Sequence, residues 1–325
     1  MDSSIQVSGS SEFCCRYLHS CFSGNLIRNR ATDKRKLVEI LTTRKLQELR
    51  LIRQTYNALY NQDVLQILSN AQRNNPFARV VYLRMSEPQT RDAEIVRSVL
   101  FGGNLDISTL IEIVCARPSL ELQSIKQAYR SQYNSDIEQD FSLKIKGDFK
   151  EILLAVLKSC RHYGSKVEMS MAMCDAKTLY EAMESGKSLD QKTMISLLSQ
   201  RSTYQLKAIL VSYKQLYGHE FSKSLKRNKC GQFGKDLSVV IKCIQYPVKY
   251  FVKQLRRTLH NGDSREVLIR IVITRSGVDI KEINTAFAAK TGWSIESLIR
   301  NMCNNATDKA FGYIAEFLVG LLKYH

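Results

Sequence analysis

The stretch that decides the fold runs from Leu268 to Phe287 and reads L-I-R-I-V-I-T-R-S-G-V-D-I-K-E-I-N-T-A-F. Its skeleton occurs four times, centred on Arg44, Arg117, Arg201 and Arg275. Five positions after each arginine stands Leu49, Leu122, Leu206 or Ile280, and eight after it Ile52, Ile125, Ile209 or Ile283. An aromatic follows at the twelfth position: Tyr56, Tyr129, Tyr213 and Phe287. Seven positions before the arginine come Leu37, Leu110, Met194 and Leu268. The pairs Ile40-Leu41, Ile113-Val114, Leu197-Leu198 and Ile271-Val272 lie between. Three- and four-residue steps are the signature of one apolar helix face. Four copies mean that repeats whose faces bury against each other set the architecture.

Outward from these copies the same periodicity continues. In the first repeat, Lys36 to Leu41, Leu46 to Tyr56, Asp63 to Leu68 and Phe77 to Met85 each read as a helix, and Pro88 marks the next connection. The second repeat restates this, with Pro118 fitting a first helical turn, where its missing N–H costs nothing. No alternating runs separated by hairpin signals occur, and Gly and Pro number only 15 and 4 in 325 residues. The reading is all-α. The boundaries follow as a disordered, Ser-rich tail over 1–12, then repeats over 13–86, 87–160, 175–245 and 246–325. The segment 161–174 reads as a linker between two pairs of repeats.

Lys and Arg together number 48 against 31 Asp and Glu, a net charge of +17 that favours polyanionic partners. Nine cysteines show no C-x-x-C and no metal-ligand spacing with histidine, which suits a reducing compartment. Cys115, Cys160 and Cys243 fall in apolar helical patterns and read as small core residues. The start has neither a basic n-region nor an apolar run, so it does not read as a secretory signal. No stretch approaches the ~20 apolar residues of a membrane span.

The run L-x-x-I-x-x-x-R-x-x-x-x-L-x-x-I-x-x-x-Y, with its count, order and spacing, resembles the annexin family over the whole chain beyond the first dozen residues. Arg91-Asp92-Ala93, the segment R-H-Y-G-S-K-V-E-M and Tyr246-Pro247-Val248-Lys249-Tyr250-Phe251 resemble the plant branch in particular. The resemblance implies four repeats of about five helices in one compact curved body, and Ca²⁺-dependent binding to acidic phospholipid. In that family a G-x-G-T turn between the first two helices of a repeat and a carboxylate about forty residues later hold the calcium. The ion wants six to eight oxygens, so the turn supplies carbonyls and the carboxylate supplies charge. The family also implies that Arg44, Arg117, Arg201 and Arg275 bridge helices as structural residues.

This sequence departs from the pattern at each turn. The turns align as Asn29-Arg30-Ala31-Thr32, Gly102-Gly103-Asn104-Leu105, Gly186-Lys187-Ser188-Leu189 and His260-Asn261-Gly262-Asp263. The carboxylate slot holds Ala71, Lys144, Asn228 and Met302. Asp148, Asp236 and Asp308 lie several positions later. Remnants of a calcium turn are Gly102, Gly103 and Asn104, with Gly262 and Asp263. Basic residues stand where the family architecture puts the lipid side: Arg28, Arg30 and Lys34, then Lys144 and Lys146, then Lys187, Lys226, Arg227 and Lys229. A lysine near an anionic membrane contributes about 1 kcal/mol, so these clusters suit calcium-independent phospholipid binding. The expectation is a monomer in the cytoplasm, peripherally attached to plasma membrane or endomembranes, with cytoskeletal or nucleic-acid contact as a further property.

Two other classes compete with this reading. A basic helical-repeat protein binding RNA, or a protein-interaction scaffold, suits the charge. Apart from the arginine, however, the repeated positions are apolar or aromatic and form no base-reading code. For an enzyme, the five histidines share no triad or metal spacing, and no G-x-x-x-x-G-K-[ST] loop exists. The sequence therefore reads as non-enzymatic.

Overall fold

The computed structural model describes residues 2–22, 31–159, 166–184, 189–227, 230–259, 265–304 and 310–325. Among them are twenty helices and no strand, and the helices fall into four sets of five. Repeat 1 comprises α1 (Asp2–Phe22), α2 (Ala31–Thr43), α3 (Leu46–Tyr60), α4 (Val64–Ala71) and α5 (Pro76–Met85). Repeat 2 comprises α6 (Pro88–Phe101), α7 (Ile107–Ala116), α8 (Ser119–Tyr133), α9 (Ile137–Lys144) and α10 (Asp148–Ser159). Repeat 3 comprises α11 (Met169–Glu184), α12 (Gln191–Gln200), α13 (Thr203–Tyr217), α14 (Phe221–Ser224) and α15 (Gly231–Gln245). Repeat 4 comprises α16 (Pro247–Thr258), α17 (Arg265–Arg275), α18 (Ile280–Thr291), α19 (Ile295–Asn304) and α20 (Ala310–Tyr324). No described helix is long and apolar enough to cross a membrane.

The apolar skeleton does the work its spacing predicts. Every position of the fourfold pattern is buried except Ile40, which is partly covered. The third helix of each set ends at the seventeenth residue after its arginine, in left-handed backbone: Asn61 (φ 49°), Asn134 (φ 48°), Gly218 (φ 73°) and Gly292 (φ 74°). Each donates its N–H to the carbonyl four residues back, which closes the last turn. Asparagine and glycine are the residues that tolerate this conformation best.

The four repeats fold as two compact units. One consists of Met1–Glu87 with Phe251–His325, the other of Pro88–Tyr250. Repeat 1 thus joins repeat 4, and repeat 2 joins repeat 3. The expected linker does not separate 1–2 from 3–4, and its last residues, from Met169 on, already belong to α11. In the first unit α2 packs on α20 so closely that a Cβ on Gly320 would lie 2.8 Å from the Thr42 side chain. In the second, α7 and α10 pack on α15, and the Tyr250 hydroxyl donates to the Ser108 carbonyl at 3.0 Å.

The expected disordered tail over 1–12 is replaced by helix from Asp2 onward. The second half of α1 is anchored in the core through Cys14, Cys15 and Leu18. Once a helix is nucleated, each added residue fixes one hydrogen bond at little cost, so the polar half extends it.

Candidate functional site

The two loop ends of repeat 2 lie side by side. Helix α6 ends at Phe101, and residues 102–106 lead to α7. Gly102 donates its N–H to the Ser98 carbonyl at 2.8 Å, and a Cβ there would lie 2.4 Å from that oxygen, so only glycine fits. Gly103 and Asn104 are exposed beside it. From the other loop end, the Lys144 ammonium sits 4.5 Å from the centre of the Phe101 ring. The Arg97 guanidinium sits 3.7 Å from the same ring centre. Cations are held there by the ring's negative face.

Two of the carboxylates of repeat 2, Asp106 and Asp140, are committed elsewhere. Asp106 caps α7, accepting from the Ser108 N–H at 2.9 Å and from the Thr109 hydroxyl. Asp140 accepts from Arg97 at 2.7 Å, from the Tyr129 hydroxyl at 2.6 Å and from Ser135 at 3.0 Å. Burial above all pushes the Tyr129 hydroxyl well above its ordinary range. Asp236 is buried in α15, accepts from Gln232 at 2.7 Å and is raised by burial first, then by Asp148. No group of three His, Cys, Asp or Glu among the described residues could hold a metal ion. Calcium needs a crowd of oxygens, whereas the Lys144 ammonium lies against Phe101, the residue just before the turn.

Repeat 3 places a cation in the same way. Arg227 donates to Glu184, the last residue of α11, at 2.7 Å. Lys223 and Lys226 are exposed beside it. Asp190 caps α12 through the Thr193 N–H at 3.2 Å and hydroxyl at 2.8 Å. Gly186, Lys187, Asn228 and Lys229 lie outside the described residues, as do Arg28, Arg30, Gly262, Asp263 and Asp308. In repeat 1, Lys34 stands 5.5 Å from the Tyr313 ring centre. Its neighbours are partly compensated: Arg35 reaches Glu316 at 3.9 Å and Lys36 reaches Glu39 at 3.0 Å. Lys146 is exposed beyond the end of α9.

The repeat arginines split into two kinds. Arg117 donates to Asp92 at 2.7 Å and Arg201 to Asp175 at 2.7 Å, so each ties the second-to-third helix junction back to the first helix. The first and fourth repeats lack an acid at the matching place. There Arg44 takes Glu48 at 2.8 Å and Arg275 takes Asp279 at 2.7 Å, each four residues on. Arg275 also lies 4.8 Å over the Phe251 ring.

The fold creates one Ser–His pair that sequence spacing did not suggest. His219 Nε2 lies 2.6 Å from the Ser224 hydroxyl, and its Nδ1 lies 2.7 Å from the Tyr217 carbonyl. That is a base oriented by a third group. Ser224 is 2% exposed, so no substrate carbonyl reaches it. Two cysteines of α1 are buried as well. Burial pushes the Cys14 thiol up to about 12 and the Cys15 thiol up to about 11, so neither ionises near neutrality.

The annexin family model matches residues 26–74, 91–156, 174–240 and 250–311, one segment in each set of helices. Annexin D2 of Arabidopsis thaliana is 34% identical over 284 residues, covering 87% of this chain and 87% of that protein. Annexin D7 of the same plant is 32% identical, covering 82% and 84%. Among solved structures, annexin III superposes with a TM-score of 0.81 at 26% identity, over 95% of this chain and 93% of that one. A calcium-bound annexin, annexin (Sm)1, shares the fold with a TM-score of 0.73 at 21% identity, over 97% and 90%. Calcium-dependent binding of acidic phospholipid is the general activity of annexins. With four repeat matches and plant relatives spanning most of its length, this chain belongs to the annexin family.

Proposed function

We propose that this annexin binds acidic phospholipid surfaces with little dependence on calcium, through basic side chains at its loop ends. The observation that carries the reading is Lys144, whose ammonium stands 4.5 Å from the Phe101 ring beside Gly102-Gly103-Asn104. A family calcium site needs a carboxylate at that place. A cation there repels the ion and attracts the lipid phosphate that the ion would otherwise bridge. Arg227 gives parallel support in repeat 3, although its pairing with Glu184 removes part of its charge from the surface. With no membrane span among the described helices, attachment is peripheral. The protein acts as a monomeric binding module in the cytoplasm rather than as an enzyme.

The test is sedimentation with vesicles of phosphatidylserine and phosphatidylcholine, in EGTA and in millimolar Ca²⁺. Comparable binding in both supports the reading. Binding only with Ca²⁺ overturns it. Because lysine attraction is screened within a Debye length, binding in EGTA should weaken between 0.05 and 0.5 M salt, over which that length shrinks from roughly 14 to 4 Å.

A further inference from the structure

Within the unit that holds repeats 1 and 4, helices α2, α19 and α20 leave an open groove of about 720 Å³. That volume lies in the ~300–1,000 Å³ range of small-molecule pockets. Its apolar wall comes from Val38 on α2 and from Ala315 and Val319 on α20. Two glycines of α20 line it for different reasons. Gly320 is there by contact, because Thr42 stands 2.8 Å from where its Cβ would be. Gly312 has no such neighbour: a Cβ there would meet no atom within 4 Å, so the absent side chain leaves space in the groove. Along α20 the lining runs from Gly312 to Lys323, about 17 Å at the helical rise. The charges on the wall are paired except at one end. Arg35 stands 3.9 Å from Glu316, Glu39 accepts from Lys36 at 3.0 Å, and Arg300 donates to Glu296 at 2.6 Å. Lys323 has no carboxylate partner among the described residues, and its ammonium lies 5.3 Å from the Tyr324 ring centre. The groove thus offers apolar length that ends at an unpaired positive charge.

We infer that this groove binds a free single-chain amphiphile with an anionic head, a fatty carboxylate. Its chain lies along Val38, Ala315 and Val319 toward Gly312, and its carboxylate meets Lys323. The occupant follows from length and charge together. A hydrocarbon chain gains from burial along its whole length against such a wall. The ammonium at the end of α20 attracts a negative head and repels a positive one. The ligand is a molecule free in solution, and neither the loop ends nor a bilayer takes part, so the groove stands apart from the phospholipid reading above.

Calorimetric titration of the full chain with decanoate, below its micelle concentration and with no vesicles present, tests it. The expected result is saturable one-to-one binding. Decyltrimethylammonium, the same chain under a positive head, should bind roughly tenfold more weakly. Gly312→Leu fills the space left by the missing side chain and should abolish decanoate binding without lowering the melting temperature, since its Cβ meets nothing. Lys323→Glu, at an exposed position, should weaken decanoate roughly tenfold and narrow the difference between the two heads. No saturable binding of decanoate to the parent overturns the inference, and so does equal affinity for the two heads. Parental affinity in either variant, at the parental melting temperature, overturns the assignment to this groove.

Discussion

Arg117 donates through Nε to Asp92 at 2.7 Å, with both side chains sealed from solvent inside repeat 2. Its two terminal nitrogens find no hydrogen-bond partner, so Asp92 is the main compensation for a buried cation, with the field of Glu112 added. Removing one partner of a buried pair leaves the other uncompensated, at a cost of about 3–5 kcal/mol. Asp92→Ala should therefore lower stability by about that much in urea unfolding. Arg44→Ala, which breaks a more exposed pair with Glu48 one turn away, should cost about 0.5 kcal/mol. Arg275→Ala should lower the melting temperature while leaving vesicle affinity unchanged. A variant that keeps its melting temperature but releases vesicles would assign that arginine to binding instead.

Replacing the cation at the repeat 2 turn should bring calcium back. Lys144→Asp returns a carboxylate to the slot beside Gly102 and Gly103, whose backbone can present carbonyls to an ion. Vesicle binding in EGTA should fall roughly fivefold with loss of one lysine, and Ca²⁺ should now raise it. Calorimetric titration with Ca²⁺ and sedimentation together check this. A variant as indifferent to Ca²⁺ as the parent would show that the turn itself has lost the ligand geometry.

The left-handed helix ends give a stability series. Gly292→Val places a β-branched residue at φ 74° and should cost about 1–2 kcal/mol. Gly218→Val should behave alike at φ 73°. Asn61→Gly and Asn134→Gly, at φ 49° and 48°, should be close to neutral because glycine suits the conformation at least as well. Chemical denaturation of the four variants reads this directly, and equal losses in all four would count against strain as the cause.

Stability should also carry the signature of His325. Its Nε2 lies 2.9 Å from an Arg84 nitrogen and 2.9 Å from the Thr42 carbonyl. Burial first, then the Arg84 charge, hold its pKa below the ordinary 6.5. A folded-state value below the unfolded one means that the unfolded chain takes up the proton first as pH falls. The stabilisation is present above about pH 6.5 and is lost as pH drops through the folded value. His325→Gln should flatten the melting temperature between pH 7 and 5 relative to the parent, and an identical slope in both proteins would remove His325 from the account.

Much of this fold is written in periodicity. The apolar positions around Arg44, Arg117, Arg201 and Arg275 lie on helix faces that are now buried, because burial demands their spacing. Two further regularities were equally readable. Asn61, Asn134, Gly218 and Gly292 all stand seventeen residues after an arginine, and Asp92 and Asp175 stand at nearly matching distances before Arg117 and Arg201. The grouping of repeat 1 with repeat 4 was not readable, since a helix face does not name the distant face that covers it. Helix from Asp2 onward escaped for a related reason: the polar start inherits its order from Cys14, Cys15 and Leu18 downstream. At the candidate site, sequence showed Lys144 in the carboxylate slot. Only the structure showed that slot touching Phe101, and Asp106 and Asp140 already spent.

The grouping of the repeats also sets an order of assembly. During synthesis the unit from Pro88 to Tyr250 is available whole before any of repeat 4 beyond Tyr250 exists. Helix α2 must wait for α20, which is translated only after the whole of repeats 2 and 3. Until then the α2 face that will meet Gly320, including Thr42, has no cover, and uncovered apolar faces are where chains associate wrongly. Repeat 1 is thus completed only after repeats 2 and 3 have been made, and a chaperone that holds nascent chains should find its binding segment there.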